Sequence, residues 1–183
     1  MRRYLILVLV IGICGATNYI TNGDFEQALS VGWIQSVSGT GSIIARGTTY
    51  DPDPDYEVYL YRPTGNGFAQ LEQTVDIPTT NIDFTVAAKL YAWDNNVGAW
   101  GVGAVVVAYL DDASSLLGET RICHRSIGCP WQDGPDCHII DVNDDLWHTY
   151  DFNIAQELAN IPAVNPSDVA KVKVSLLAYT LDC

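Results

Sequence analysis

The stretch Asp83–Trp93, DFTVAAKLYAW, decides the fold class of this 183-residue chain. Apolar residues stand at every second position, which places one set of side chains on a single face. That face holds Phe84, Val86, Ala88, Leu90 and Ala92. A period of two is typical of a β-strand with one buried face, whereas a helix would repeat every three to four residues. The stretch therefore predicts a strand.

The same alternation recurs along most of the chain. In residues 102–110 the set that we expect to face the core is Val102, Ala104, Val106, Ala108 and Leu110. Turns rich in Asp, Asn, Gly and Pro separate the runs, and only residues 155–160 have a helical pattern. Many strands joined by short turns predict an all-β fold, a two-sheet antiparallel β-sandwich.

The first 16 residues have the three parts of a secretory leader: a positive end, an apolar run too short to span a bilayer, and small residues for cleavage. A lipoprotein anchor at Cys14 is the alternative, but Ile13 is bulky where such signals need a small residue. We therefore predict a signal peptide over residues 1–16, a single β-sandwich domain over 17–183, and a protein that is secreted, extracellular or at the cell surface. No membrane insertion is expected once the leader is removed.

The formal net charge of the chain is −13. Nucleic acids and anionic membrane surfaces repel such an acidic protein, so neither is an expected partner. The acidity is compatible with cation binding, or it serves only to keep the protein soluble.

Four cysteines lie outside the leader, at positions 123, 129, 137 and 183. An even number in an exported chain predicts two disulfides, with three possible connectivities. We favour Cys123–Cys129 and Cys137–Cys183, which would staple a long loop predicted over residues 119–147. The alternative is a zinc or copper site, because Cys123-His124 and Cys137-His138 form matching pairs, but no Cys-x-x-Cys motif accompanies them.

The segment NGDFE (22–26), followed by Gly32-Trp33, resembles the opening of carbohydrate-binding modules with a galactose-binding-like jelly-roll fold. Residues 56–61 with 67–78, and the closing segment 176–183, are also similar to that family. The resemblance covers nearly the whole of the chain after the leader. It implies a jelly-roll β-sandwich in which Gly23 makes a tight turn and Phe25 fills the core.

The family commonly holds a structural calcium ion where its two chain ends meet. Carried over by position, the resemblance implies the ligands Glu26 and Asp182, with Asp51 or a carbonyl of residues 48–53 as a third. Two close carboxylates repel unless a cation lies between them, and calcium accepts oxygen ligands flexibly. The chain departs from the family because Asp182 stands alone where an acidic pair is usual. The alternative is that Glu26 is solvated or pairs with Arg46.

Aromatic side chains on the outer faces of the predicted strands could stack on sugar rings, with polar partners that fix the hydroxyl groups. The predicted ligand-binding residues are Tyr59, Tyr61, Lys89, Tyr91, Trp93, Trp100, Tyr109 and Trp131. The alternative is that these aromatic residues pack beneath loops. Trp33 and Trp147 are assigned to packing.

No motif of a serine hydrolase or of a zinc metalloprotease occurs, so the chain is not predicted to be an enzyme. The predicted function is that of a secreted non-catalytic carbohydrate-binding protein, with a polysaccharide or glycan as partner. The alternative is a self-assembling extracellular structural subunit of a surface layer, sheath or filament, with further copies of itself as partners. The chain is 48% hydrophobic, which leaves apolar surface for such contacts.

Overall fold

A computed structural model of the chain describes residues 6–7, 18–49, 55–94 and 97–182. The strands in chain order are β1 (Ile6–Leu7), β2 (Ile34–Ser38), β3 (Ile43–Gly47), β4 (Glu57–Tyr61), β5 (Gly67–Asp76), β6 (Asp83–Lys89), β7 (Trp100–Leu110), β8 (Leu116–Arg125), β9 (Cys137–Asp141), β10 (Trp147–Asn153) and β11 (Lys171–Leu181). A single turn of helix, α1 (Ile154–Glu157), continues into a 3-10 turn over Leu158–Asn160, and a second 3-10 turn covers Pro166–Asp168. Among the described helices, none is both long enough and apolar enough to cross a membrane.

The strands form two sheets, one of five strands in the order β10-β6-β1-β4-β3 and one of six in the order β2-β5-β11-β7-β8-β9. Between the described strands every pairing is antiparallel except that of β8 with β9, which is parallel. The prediction of an all-β jelly-roll sandwich is confirmed, as is the short helical segment after residue 154.

The core lies between the sheets and follows the alternation seen in the sequence. From the five-stranded sheet, the predicted face of β6 is almost fully buried, with Val86 and Ala88 each 0% exposed. From the six-stranded sheet, β11 contributes Leu176 and β5 contributes Leu71, both also 0% exposed. Apolar faces that meet in this way supply most of the favourable free energy of folding.

The predicted orientation of β7 is wrong. Val105, Val107 and Tyr109 belong to the main core, whereas Val106 lies in a second, smaller apolar cluster and lines a groove on the outer face with Ala108. The phenol of Tyr109 is enclosed in the core, where its hydroxyl bonds the hydroxyl of Thr120 at 2.9 Å. Because β7 is covered on both sides, both of its faces are apolar, and the alternation could not show which one faces the core.

The sequence predicted one long loop over residues 119–147, and this prediction is wrong. It contains most of β8, all of β9 and the first residue of β10. The connection over residues 126–136, which we call the wall loop, joins β8 to β9. Glu119, Arg121, Cys123 and Arg125 occupy every second position of β8, and this charged face hid the strand although Thr120 and Ile122 alternate with it.

The first turn of the sandwich differs in detail from the prediction. Phe25 is 0% exposed and packs on Trp33 with ring centroids 5.5 Å apart, as expected for core residues. The residues with positive φ, however, are Asn22 (φ 53°) and Phe25 (φ 55°), not Gly23. The side chain of Asn22 offsets the strain, since it accepts from the amide of Gln27 and donates to nearby carbonyls.

Two residues of the predicted leader are part of the sandwich. Ile6–Leu7 form β1, which lies between β4 and β6 in the five-stranded sheet. The prediction placed all of residues 1–16 outside the fold. Residues 1–5 and 8–17 lie outside the described part of the chain.

Candidate functional site

A groove of about 580 Å³ runs over the outer face of the six-stranded sheet. Its floor is made by small and aliphatic residues of β7 and β11, namely Val106, Ala108, Ser175 and Leu177. One rim carries Gln70, Glu72, Thr74 and Lys173. The other rim carries Glu119, Arg121 and Trp131.

The strand register explains this arrangement. Ser175 on β11 stands opposite Glu72 on one side and Val106 on the other, and Val106 in turn stands opposite Arg121 of β8. Residues opposite one another on adjacent strands point to the same face of a sheet. One row across the sheet thus has long charged side chains at its ends and short ones in the middle, which gives the groove its depth.

Charged groups on the rims are held by neighbours on the same side of the groove. The carboxylate of Glu72 accepts from the amide of Gln70 at 3.0 Å and lies 3.7 Å from the ammonium of Lys173. On the opposite rim, the guanidinium of Arg121 donates to Glu119, with Nε at 3.0 Å. Donors and acceptors therefore line both sides of a weakly apolar floor, a combination that suits a ligand rich in hydroxyl groups.

The wall loop places Trp131 beside the groove. The Arg121 guanidinium lies 4.1 Å from the centre of the indole ring, and Arg125 donates to the Trp131 carbonyl. Arg125 is itself fixed by two hydrogen bonds of 2.7 Å to the Asp141 carboxylate on β9. A bidentate pair of this kind orients both side chains. Trp131 is thus held in position by neighbours on β8 and β9.

The wall loop also fits closely against the start of β7. A Cβ at Gly128 would lie 2.4 Å from the carbonyl oxygen of Ala99, so only glycine allows this approach. At the other end of the loop, the Asp133 carboxylate accepts from the amide of Ile139 at 2.7 Å. These two contacts fix the course of the loop over the sheet.

The predicted Cys123–Cys129 disulfide is wrong for this structure, because Cys123, Cys129 and Cys137 are free thiols. Cys123 is buried in the small apolar cluster beneath the wall loop, and Cys129 and Cys137 pack against that cluster. Burial raises the pKa of the Cys123 thiol to about 12, and burial likewise raises the pKa of Cys129 and of Cys137. A thiol that stays protonated is a poor nucleophile for disulfide formation. Cys183 lies outside the described residues.

The Cys-His pairs do not converge on a metal. Cys123 lies in the cluster on the outer face, whereas the adjacent His124 accepts from the amide of Ala92 at 3.0 Å. His138 bonds Glu157 at 2.5 Å. Within the described ranges, no group of three or more His, Cys, Asp and Glu side chains could hold a metal ion.

The predicted aromatic platform does not form a single surface. Tyr59 and Tyr61 of β4 stack on each other at 6.0 Å, but Tyr59 is 6% exposed. Tyr109 is in the core. Lys89 lies at the end of β6 in the five-stranded sheet, whereas β7 belongs to the other sheet, so the expected neighbours are in different layers.

The remaining predicted residues also separate. Tyr91 packs on His124 with the rings tilted and their centroids 5.2 Å apart, and Trp93 is 52% exposed outside the groove. Trp100 stacks on Tyr179 at 4.8 Å and packs against the small apolar cluster. Of the eight predicted residues, Trp131 alone lines the groove.

The structure also separates the predicted calcium ligands. The Glu26 carboxylate lies 3.4 Å from the amide of Tyr56, just before β4, whereas the amide of Asp182 bonds Asn66, beyond the other end of β4. The two carboxylates therefore lie toward opposite ends of this strand. Arg46 donates to the Glu26 backbone carbonyl at 2.7 Å. Asp51 lies outside the described residues.

The sequence reasoning missed Gln70, Glu72, Glu119, Arg121 and Lys173, which make up most of the polar lining. A signal for some of them was present, since Gln70, Glu72 and Thr74 alternate with Ala69, Leu71 and Gln73 along β5. Polar residues at every second position mark the outward face of a strand. They do not show which outward face is concave.

No protein-family profile and no curated protein matches the sequence. Among solved structures, the enzymatically active domain of tailspike protein 4 from bacteriophage CBA120 matches over 90% of this chain and 20% of its own, with a TM-score of 0.52 and 14% identity. This chain thus spans about a fifth of the length of that tailspike chain. The likeness shows that the two share a fold.

Carbohydrate-binding modules are also among the matching structures. A module of the β-sandwich superfamily matches over 82% of this chain and 51% of its own, with a TM-score of 0.47 and 12% identity. The family 11 module of a cellulosomal cellulase of Clostridium thermocellum matches over 87% and 88%, with a TM-score of 0.33 and 10% identity.

Proposed function

We propose that the protein is a secreted, non-catalytic carbohydrate-binding protein and that the groove on the six-stranded sheet holds a segment of polysaccharide. The observation that carries the proposal is the groove itself, with carboxylate and cationic groups along both rims, the amide of Gln70 on one rim and Trp131 on the other. Sugars present apolar C–H faces and many hydroxyl groups, so they bind where an aromatic ring and convergent polar groups occur together. The secretory leader expected from the sequence is consistent with an extracellular glycan as partner.

Purified protein should be screened on a glycan array and then titrated with the glycans that bind. Trp131→Ala is expected to weaken binding by about tenfold or more, because aromatic anchors dominate the energy of such sites. Trp93→Ala is the matched control, since that indole is exposed but lies outside the groove. Equal binding by the native protein and the Trp131→Ala variant would contradict this site.

A second test separates binding from catalysis. The glycans that bind should be incubated with the protein and assayed for new reducing ends. A binding protein leaves them intact. Release of reducing ends that is lost in Glu72→Gln or Glu119→Gln would show that the groove is an active site instead.

A second candidate function, self-assembly, is favoured by the edge of the six-stranded sheet. On the edge strand β2, Ile34 is 65% exposed and Val37 is 57% exposed. An apolar edge can pair with the same strand of another copy. Light scattering of the purified protein would then show large species that Ile34→Lys reduces to monomers. A monomer at all concentrations would exclude this function.

A further inference from the structure

The centre of the five-stranded sheet is occupied by β1, of which the structure describes Ile6 and Leu7. Leu7 of β1 stands opposite Val58 of β4 on one side and Ala88 of β6 on the other, and Ile6 stands opposite Lys89. Both pairings are antiparallel, so β4 and β6 run in the same direction, and among the described strands β1 alone joins them.

An empty space between β4 and β6 would lower the stability of the fold. Val58 and Ala88, on either side of it, are both 0% exposed and belong to the main core. Buried backbone N–H and C=O groups need hydrogen-bond partners, and the facing edges of β4 and β6 are too far apart to supply them to each other. Some extended segment must therefore lie between these strands in the folded protein.

The sequence around β1 suits that position. Residues 4–12, YLILVLVIG, form an unbroken apolar run rich in Leu, Ile and Val. A strand in the middle of a sheet that is covered on both faces has this composition. The same composition defines the apolar part of a secretory leader, so the run is compatible with both roles.

We propose that the gap between β4 and β6 is a strand-acceptor site, and that its occupant is the N-terminal segment of this chain around Ile6–Leu7. The segment is then a structural strand of the folded protein and not merely an export signal. This inference does not depend on the groove, which lies on the other sheet, but it requires that Ile6–Leu7 stay with the chain and therefore stands against cleavage of the leader after residue 16.

The test uses the full chain, produced without export so that its N-terminus is kept, with a protease site placed within residues 13–16. After folding, the chain is cut and passed over a sizing column. We expect the released peptide to co-elute with the remainder and to separate only in denaturant. The same cut in a Leu7→Pro variant should release the peptide, because proline removes a backbone donor and cannot continue a central strand.

Uncut Leu7→Pro protein should also melt at least about 5 °C below the native chain, whereas Leu7→Val should melt close to it. These uncut variants keep the proposal testable if the cut chain aggregates. The proposal is overturned if the peptide leaves at once and the melting temperature does not change, or if Leu7→Pro is as stable as Leu7→Val.

Discussion

Replacement of Glu157 should destabilise the protein through a buried chain of hydrogen bonds. Glu157 lies on α1 and is 6% exposed. Its carboxylate accepts from the hydroxyl of Thr120 at 2.8 Å and from the amide of Asn160 at 3.0 Å, and it bonds His138 at 2.5 Å. The helix comes directly after β10 of the five-stranded sheet, and these contacts connect it to β8 and β9 of the other sheet.

The size of the loss in unfolding free energy depends on which hydrogen-bond partners of Glu157 are exposed to solvent. Asn160 is exposed and the side chain of His138 is 29% exposed, so both can be solvated when the carboxylate is removed. Thr120 is 0% exposed and also bonds the equally buried hydroxyl of Tyr109, so loss of the carboxylate leaves one proton of these two hydroxyl groups without an acceptor. Glu157→Ala should therefore cost about 2–4 kcal/mol, of which the stranded hydroxyl supplies ~1–3 and lost packing the rest. Glu157→Gln keeps the shape and one acceptor and should cost about 1–2 kcal/mol.

The assay is urea unfolding followed by tryptophan fluorescence, with equal m-values as the condition for comparing variants. Thr120→Val supplies a double-mutant cycle when both arms carry Tyr109→Phe, since it then removes the donor that Glu157→Ala strands without leaving the buried Tyr109 hydroxyl unpaired. The cost of Glu157→Ala should fall by about 1 kcal/mol or more in the Thr120→Val background. Additive effects, or a Glu157→Ala variant within about 0.5 kcal/mol of the native protein, would refute the reasoning.

Three further predictions concern the wall loop, acid stability and thiol reactivity. Gly128→Ala should push the loop away from the Ala99 carbonyl and so weaken glycan binding, measured by titration; unchanged affinity would show that the loop tolerates the shift. Burial lowers the pKa of His124 below its usual 6.5, so the unfolded chain binds a proton more readily and stability present above pH 6.5 is lost as the pH falls through that value. His124→Asn, which can still accept from Ala92, should lose less stability between pH 7.5 and pH 5 in thermal melts, and an unchanged loss would assign it to other groups. Because the Cys123 pKa is raised to about 12, this thiol should resist alkylation at pH 8 in the folded protein and react in urea, as followed by mass spectrometry; fast labelling of the folded protein would contradict its burial.

The sequence was sufficient for the fold class and for most strands, because alternation is a local property that a single strand displays. It was insufficient for β7, where both faces are apolar, and for β8, where charged side chains serve the groove. Trp131 was predicted as a ligand contact because aromatic residues in polar segments stand out, and the structure places it at the groove. The long-range register that aligns Glu72 with Arg121 across four strands leaves no trace in either strand alone.

The prediction that Glu26 and Asp182 share one calcium ion shows a different limit. It assumed that the two ends of the chain meet, which is a statement about topology and not about local composition. The structure instead brings Glu26 to the beginning of β4 and Asp182 to a loop beyond its end. Short motifs give good information about the residues within them and little about distant partners.

The parallel pairing of β8 with β9 determines how insertions or deletions could alter the shape of the groove. Cys137 stands opposite Glu119, six residues before the end of β8, so the chain must travel back along the sheet before β9 can begin. The wall loop makes this return across the outer face of the sheet. The parallel order of β8 and β9 therefore requires a segment that overhangs the groove. Lengthening or shortening that return by a few residues would reshape the groove while both β-layers kept their pairing.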